Sequence, residues 1–270
     1  MLSICIFGSQ ARRTADSMSD RDVLLVGPPS RALDMAASRW AQSSWNVSVF
    51  ERGALERLAD VKALFLQHLK LEGRLILDDG NFLKSLLNSY SPKEDYSGER
   101  NDALAQIDAL PCDTDKYWQQ LCVADILYVL FRNAAILHLA GMNEYHFQFD
   151  VLVEKMGDIF NLSLKERKSL LDLRNLKHGY RHRTVSLLAM PCIIDARQAI
   201  TKIAEQLLDK NYSSITDGVT TDKYFNIRMT EFNLVSQHDP RVLDEIGSDS
   251  DLFSVWQRIK SSGGYPKPPR

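Results

Sequence analysis

Apolar residues follow two rhythms along this chain. Up to about residue 90, short apolar runs are interleaved with helical periodicity; beyond residue 115 only the helical rhythm remains. Residues 2–7 (LSICIF) read as a strand that ends at Gly8-Ser9, and a second strand-like run occupies 23–26. Gly27-Pro28-Pro29 closes that run, because proline cannot donate to a β-ladder. Ser30 is placed to cap a helix reaching about Ala41, with Leu33, Ala36, Ala37 and Trp40 on one face. A third strand is predicted over 45–50, where Val47 and Val49 alternate with Asn46 and Ser48. A helix over 51–69 follows. Gly73 ends its continuation, and a short run over 74–77 leads into an Asp78-Asp79-Gly80 turn. The order β-turn-β-α-β-α-β predicts an α/β module with a short mixed sheet over residues 1–90.

Residues 91–114 read as a linker in which proline, glycine and charge are frequent, although 101–110 could form a helix. A long helix is predicted over 116–140; Leu121, Ile126, Leu130, Ala134 and Leu137 make it apolar nearly all round, as expected for the centre of a bundle, and Gly141 stops it. Further helices are predicted over 148–160, 163–180 and 190–211, with Ser163 and Glu166 spaced as a capping box. Helices joined by short loops predict an up-and-down bundle over 115–212. A C-terminal extension, 213–270, contains a short strand or irregular arm at 224–235 and an amphipathic helix at 251–260, then a tail of flexible composition. The expected fold class is α+β: an α/β module followed by an all-α bundle.

Composition narrows the setting. A net charge of −2 makes no bulk demand for nucleic acid or an anionic membrane as partner. The four cysteines, at 5, 112, 122 and 192, form no C-x-x-C pair and read as core residues of a reducing compartment. Charge interrupts the apolar runs before the roughly 18 residues of a membrane span, and residues 1–7 lack the form of a secretory signal. A cytoplasmic protein with no membrane partner is the expectation.

The chemistry concentrates in the first twenty-six residues. Asp20 and Asp22 lie at the start of the second strand, where alternation puts both on one face about 6.5 Å apart along the chain. Such a pair can hold one or two hard cations roughly 3.5–4 Å apart. Gly8 lets the backbone come close to a phosphate beside them. Gly8-Ser9, ten residues, then Asp20-x-Asp22 resembles the signature of the DNA polymerase β-type nucleotidyltransferases, in particular the minimal nucleotidyltransferases, and Ala11-Arg12 extends the resemblance. The resemblance implies Mg²⁺ on Asp20 and Asp22 bridging the triphosphate of ATP or another NTP. Gly8 and Ser9 would position the β- and γ-phosphates, and Arg12 would offset charge on the leaving pyrophosphate.

That family draws a third carboxylate from the neighbouring strand, and alternation puts Ser48 at its position. A hydroxyl cannot serve as a carboxylate base near neutral pH. Glu51, Asp78 or Asp79 then substitutes, with Asp78 best placed behind its apolar run; otherwise the enzyme is weak, or it binds nucleotide without transferring it. The stretch Gln67-His68-Leu69-Lys70-Leu71-Glu72-Gly73 is similar to one in longer members of the family, without assigning His68 a role beyond packing or capping.

Residues 115–210 resemble HEPN domains, helical bundles often paired with minimal nucleotidyltransferases in bacteria. Their signature joins an Arg to a His through four to six residues. Arg174-Asn175-Leu176-Lys177-His178-Gly179-Tyr180 has the Arg-Asn start and the His-x-Tyr ending with a three-residue spacer, whereas Arg132 to His138 has a spacer of five on an earlier helix. The short spacer rotates His178 by about 100° from its expected face and argues against RNase activity. Arg174, Lys177, His178, Arg181 and Arg183 form either a solvated basic helix end or a phosphate-binding patch facing the nucleotide cleft. In the resembled toxin–antitoxin branch the partner's HEPN tyrosine is adenylylated, which would make Tyr180 an acceptor; dimerisation through the helical domain is also implied. The expected function is transfer of a nucleoside monophosphate, AMP from ATP foremost, to a protein, RNA or small-molecule hydroxyl lying between the domains. The alternatives are a catalytically weakened nucleotide-binding regulator in a defence system, or an antibiotic nucleotidyltransferase, for which the acidic surface is sparse.

Overall fold

The computed structural model describes residues 2–111, 116–182, 189–208, 225, 228–229 and 231–233. The described chain is α+β, and it divides into two units, one of them holding residues 1–94 and 143–148 and the other 95–142 and 149–265.

The first unit is built on four strands, β1 (Ser3–Phe7), β2 (Asp22–Val26), β3 (Asn46–Phe50) and β4 (Arg74–Asp78), in the order β3-β2-β1-β4. β1 runs antiparallel to both neighbours, while β2 and β3 are parallel. Parallel strands need a crossover, and α2 (Arg31–Gln42) supplies it; Ser30 caps this helix by accepting from Leu33 N–H at 3.2 Å. Alternation sends Cys5, Phe7, Leu24 and Val26 to one face of the sheet and Ile6, Val23 and Leu25 to the other. The second face packs against Leu33 and Ala37 of α2. The first is covered by α3 (Arg52–Asp60), α4 (Leu64–Glu72) and α5 (Phe82–Ser89), through Leu55, Leu66, Leu69, Leu83 and Leu87.

The helix predicted over 51–69 is in fact α3 and α4, split where Lys62 adopts φ 54° and Ala63 caps the second helix. A four-residue helix, α1 (Ser9–Arg12), lies inside what the sequence suggested was only a turn. The predicted linker contains α6 (Ser97–Asp108), which belongs to the second unit and packs along α7. Leu104 and Ile107 are buried on it, so its apolar residues form part of a core.

In the second unit α6 joins α7 (Tyr117–Gly141), α8 (Phe149–Ile159), α9 (Leu164–Arg181) and α10 (Ala189–Leu207). α7 packs against the other four helices, which is why it is apolar all round. By length and composition alone it could cross a membrane, with mean hydropathy 1.5 over 18 residues, but 72% of that window is buried within the fold. The capping box at the start of α9 is formed: Ser163 Oγ accepts from Glu166 N–H, and Glu166 Oε2 accepts from Ser163 N–H at 2.6 Å. Cys5, Cys122 and Cys192 are buried free thiols, whereas Cys112 lies outside the described residues, as do the predicted helix at 251–260, the tail and most of 224–235.

Candidate functional site

The β1–β2 register creates the site. Phe7 pairs with Asp22, so the chain leaves β1 at Gly8 directly beside the start of β2. Gly8 has φ +71°, and a Cβ there would stand 3.2 Å from Asp22 Oδ2. Glycine is required on both counts: the left-handed backbone and the close approach of the carboxylate. Gly8 caps α1, its carbonyl accepting from Ala11 and Arg12 N–H at 3.1 and 3.2 Å. Ser9 Oγ donates to the backbone carbonyl of Asp20 at 3.4 Å, drawing the exposed segment before β2 toward the glycine turn. Gly8, Ser9, Asp20 and Asp22 therefore gather at one end of the sheet, with Asp22 on the strand and Asp20 just ahead of it.

The neighbouring strand brings Asn46 to this end. In the parallel ladder Asp22 pairs with Asn46, while Ser48 lies opposite Leu24. Asn46 Nδ2 donates to Asp22 Oδ1 at 2.8 Å. The residue directly opposite Asp22 is thus an amide, and Ser48, the position expected for a third carboxylate, lies two ladder pairs further along β3.

None of the suggested substitutes reaches the Asp22 end of the sheet. Asp78 pairs with Ser3 and Glu51 follows β3, so both lie at the opposite end of the strands, about 13 Å away over four residues of β1. Asp78 is occupied structurally, accepting from Ser3 Oγ at 2.6 Å and from the backbone N–H of Leu83 and Lys84 at 3.1 and 2.9 Å. Burial raises its pKa, but these donors and nearby Arg52 outweigh that and hold it below the ordinary value. Asp79 accepts from Leu2 N–H at the same distant end. Asp78 is therefore corrected from candidate catalytic residue to the anchor of the loop entering α5. Among the described residues, no three His, Cys, Asp or Glu side chains are grouped to hold a metal.

Arg12 points into a cluster that sequence reasoning left without a role. Its Nη1 bonds Glu72 Oε2, the oxygen that also accepts from His68 Nε2 at 2.8 Å. The His68 ring stacks on Phe147 with centroids 4.3 Å apart and meets Phe7 edge-on at 5.6 Å. Burial raises the Glu72 pKa, yet the bond and charge of His68 and the charge of Arg12 prevail and lower it. The i,i+4 spacing of His68 and Glu72 was the available signal, since it puts them on one helical face.

In the second unit, the residues from Arg174 to Arg181 differ in exposure: Tyr180 is buried, whereas Arg174, Lys177 and His178 are half-buried and Arg181 is exposed. Tyr180 is 2% exposed, and its hydroxyl donates to Glu231 Oε1 at 2.7 Å. Burial, reinforced by Cys122 and Glu231, pushes its pKa well above that of an ordinary phenol. This corrects its assignment as an AMP acceptor. Arg181 Nε donates to the fully buried Asp125 at 3.0 Å, Lys177 lies over the Tyr128 ring at 4.6 Å, and the His178 and His182 rings are 4.1 Å apart. Arg174 is half-buried on the same helix, and Arg183 lies outside the described residues. In the second motif, His138 faces Arg100 of α6 at 3.5 Å. Burial foremost, then the Arg100 charge, lowers the His138 pKa.

No protein-family model matches the chain, and neither a curated protein nor a solved structure resembles it at a significant level.

Proposed function

We propose that the first unit binds a Mg²⁺–nucleoside triphosphate, ATP foremost, in the manner of a nucleotidyltransferase, and that it transfers the nucleoside monophosphate to a hydroxyl acceptor slowly. The observation that carries this reading is the close approach of Gly8 to Asp22, with Ser9 bonded to the Asp20 backbone beside it. Asp20 and Asp22 would hold Mg²⁺, which supplies charge neutralisation on the phosphates. Gly8 leaves the space and Ser9 the hydroxyl that a phosphate oxygen needs.

A second reading, nucleotide binding without transfer, is favoured by one observation: the residue opposite Asp22 on β3 is Asn46 and the next on that face is Ser48, so the strand offers no carboxylate base. An amide can neither take the acceptor's proton nor add charge to the metal site. Arg12 belongs to the proposed site, whereas Asp78 and Tyr180 do not. The protein acceptor, if there is one, is a different hydroxyl.

The test is binding and transfer of labelled ATP, GTP, CTP and UTP with and without Mg²⁺. The intact chain is expected to bind ATP in a Mg²⁺-dependent way, and an Asp20→Asn/Asp22→Asn variant to lose that dependence. Equal Mg²⁺-dependent binding by the double variant would overturn the assignment. Label transferred to a hydroxyl in a lysate selects the first reading, and binding alone selects the second.

A further inference from the structure

We infer that Glu72 is a positioning residue for triphosphate recognition: together with His68 it holds Arg12 at the Asp22 end of the sheet, and so sets the preference for ATP over AMP. This rests on the proposed nucleotide site.

Three observations support it. First, the cluster lies on the same sheet face and at the same end as Asp22. Phe7 pairs with Asp22 across the β-ladder and meets the His68 ring edge-on, and α1, which carries Arg12, begins at Gly8. Second, α4 is clamped in place. A Cβ at Gly73 would come within 2.3 Å of the Leu69 carbonyl oxygen and 2.9 Å of Cys5 Sγ, so no other residue lets the chain pass between the helix end and β1. Lys70 Nζ donates to the Tyr90 carbonyl at 2.8 Å on the same helix. Third, the anchoring carboxylate is itself fixed. His68 is 8% exposed between Phe147 and Phe7, and it shares Glu72 Oε2 with Arg12.

The segment Gln67 to Gly73 thereby acquires a single purpose: core residues fix its pitch, glycine fixes its depth, and His68 and Glu72 aim one guanidinium. Arg12 Nε is buried without a hydrogen-bond partner among the described residues. A buried unmet donor calls for a partner, and a phosphate oxygen would supply one without moving the guanidinium from Glu72. A guanidinium is suited to phosphate because its donors form a planar fork, but only when it is held in the right plane. Arg12 is thereby assigned to the β- or γ-phosphate of the proposed ligand, which AMP lacks.

The experiment measures dissociation constants for ATP and AMP, with Mg²⁺, for the full chain and for Glu72→Gln, His68→Gln, Arg12→Gln and Arg12→Gln/Glu72→Gln. Glu72→Gln is expected to weaken ATP about tenfold and leave AMP unchanged, with His68→Gln smaller in the same direction. Arg12→Gln should show the same selective loss, and the double variant no further loss, because the two residues act as one unit. Equal losses for ATP and AMP, no loss, or losses that multiply in the double variant would overturn the inference while leaving the nucleotide site standing. Failure of the intact chain to bind either nucleotide would overturn both. If Glu72→Gln does not fold, as judged by its helical circular dichroism, the ATP/AMP ratio of His68→Gln decides alone.

Discussion

Asn46 donates its amide to Asp22 at 2.8 Å, directly opposite it on the parallel strand, where in the proposed nucleotide site a further carboxylate could reach the same metal. Converting it to Asp makes a defined prediction. Without Mg²⁺, Asn46→Asp loses that hydrogen bond and sets two carboxylates side by side, so its melting temperature falls below that of the parent. With Mg²⁺ the charges are shared by the metal, and the deficit shrinks. If transfer is limited by the missing base, its rate rises roughly 10²-fold. A Mg²⁺-independent melting temperature and an unchanged rate would together remove Asn46 from the site. The sequence made part of this legible. Alternation put Asn46 and Ser48 on one strand face, which the pairing bears out, since Asp22 faces Asn46 and Leu24 faces Ser48. It could not say which pair stands opposite Asp22, because parity fixes a face, whereas the offset of a parallel pair is set by the crossover through α2. A second residue gives a pH prediction. Burial and Arg100 depress the His138 pKa below 6.5 in the folded state, so the unfolded state binds the proton more readily. The stability His138 contributes is present above pH 6.5 and is lost as pH falls through its folded pKa. Urea midpoints taken from pH 7.5 down to 5.5 should fall, and His138→Gln should flatten that slope; an unchanged slope would contradict the depressed value.

At the scale of elements, α4 shows what close packing demands of one position. Gly73→Ala would press a methyl group against the Leu69 carbonyl and Cys5 Sγ, and the helix end must then lift from β1. A loss of about 2–3 kcal/mol in urea unfolding is expected, as for overpacking elsewhere. A loss under about 0.5 kcal/mol would show that the helix end has room. Ser163→Ala, which removes half of the capping box, should cost about 1 kcal/mol, measured the same way. The cap was readable because its signal is local, four residues wide. The division between α3 and α4 was not. Apolar periodicity runs on through 61–63 with neither Gly nor Pro to interrupt it, and the break rests on Lys62 in a left-handed conformation that only the packing requires. α5 carries a readable signal, since Leu83, Leu86 and Leu87 repeat at helical spacing, but it is only eight residues long and directly follows the Asp78-Asp79-Gly80 turn, so the repeat spans little more than one turn. α6 was obscured by its flanks: proline, charge and glycine at 91–99 suggest a linker, and only the contact with α7 makes its apolar residues a core face.

At the scale of the molecule, the two units differ in where they put charge. The first gathers Asp20, Asp22 and Arg12 at one end of its sheet, with Asp20 exposed. The second buries Asp125, Arg228 and Glu231 inside a helical core. Asp125, fully buried on α7, bonds Arg181 Nε and Arg228 Nη2; Arg228 pairs with Glu231; and Glu231 accepts the Tyr180 hydroxyl. Two carboxylates and two guanidinium groups thus meet in this cluster among the described residues. On α9, Tyr180 is turned inward and helps hold Arg228 and Glu231 against α7 and α9, whereas Arg174, Lys177 and His178 are half-buried and Asn175 is exposed. The net value of such a buried network against an apolar core is small, but breaking it on one side leaves a stranded charge. Asp125→Asn should therefore cost about 3–5 kcal/mol, read as a lower urea midpoint at the helical circular-dichroism band. A combined Asp125→Leu/Arg228→Met/Glu231→Gln variant should recover most of that loss, because it removes all three buried charges, keeps an acceptor for the Tyr180 hydroxyl, and leaves Arg181, 41% exposed at its side chain, free to turn to solvent. If the combined variant were as unstable as Asp125→Asn, packing at these positions would be the cause of the loss. If Asp125→Asn cost less than about 1 kcal/mol, the network would not hold the segment. Label from ATP on Tyr180 in the folded chain would likewise count against it, because transfer there requires the phenol to leave Glu231 and reach solvent.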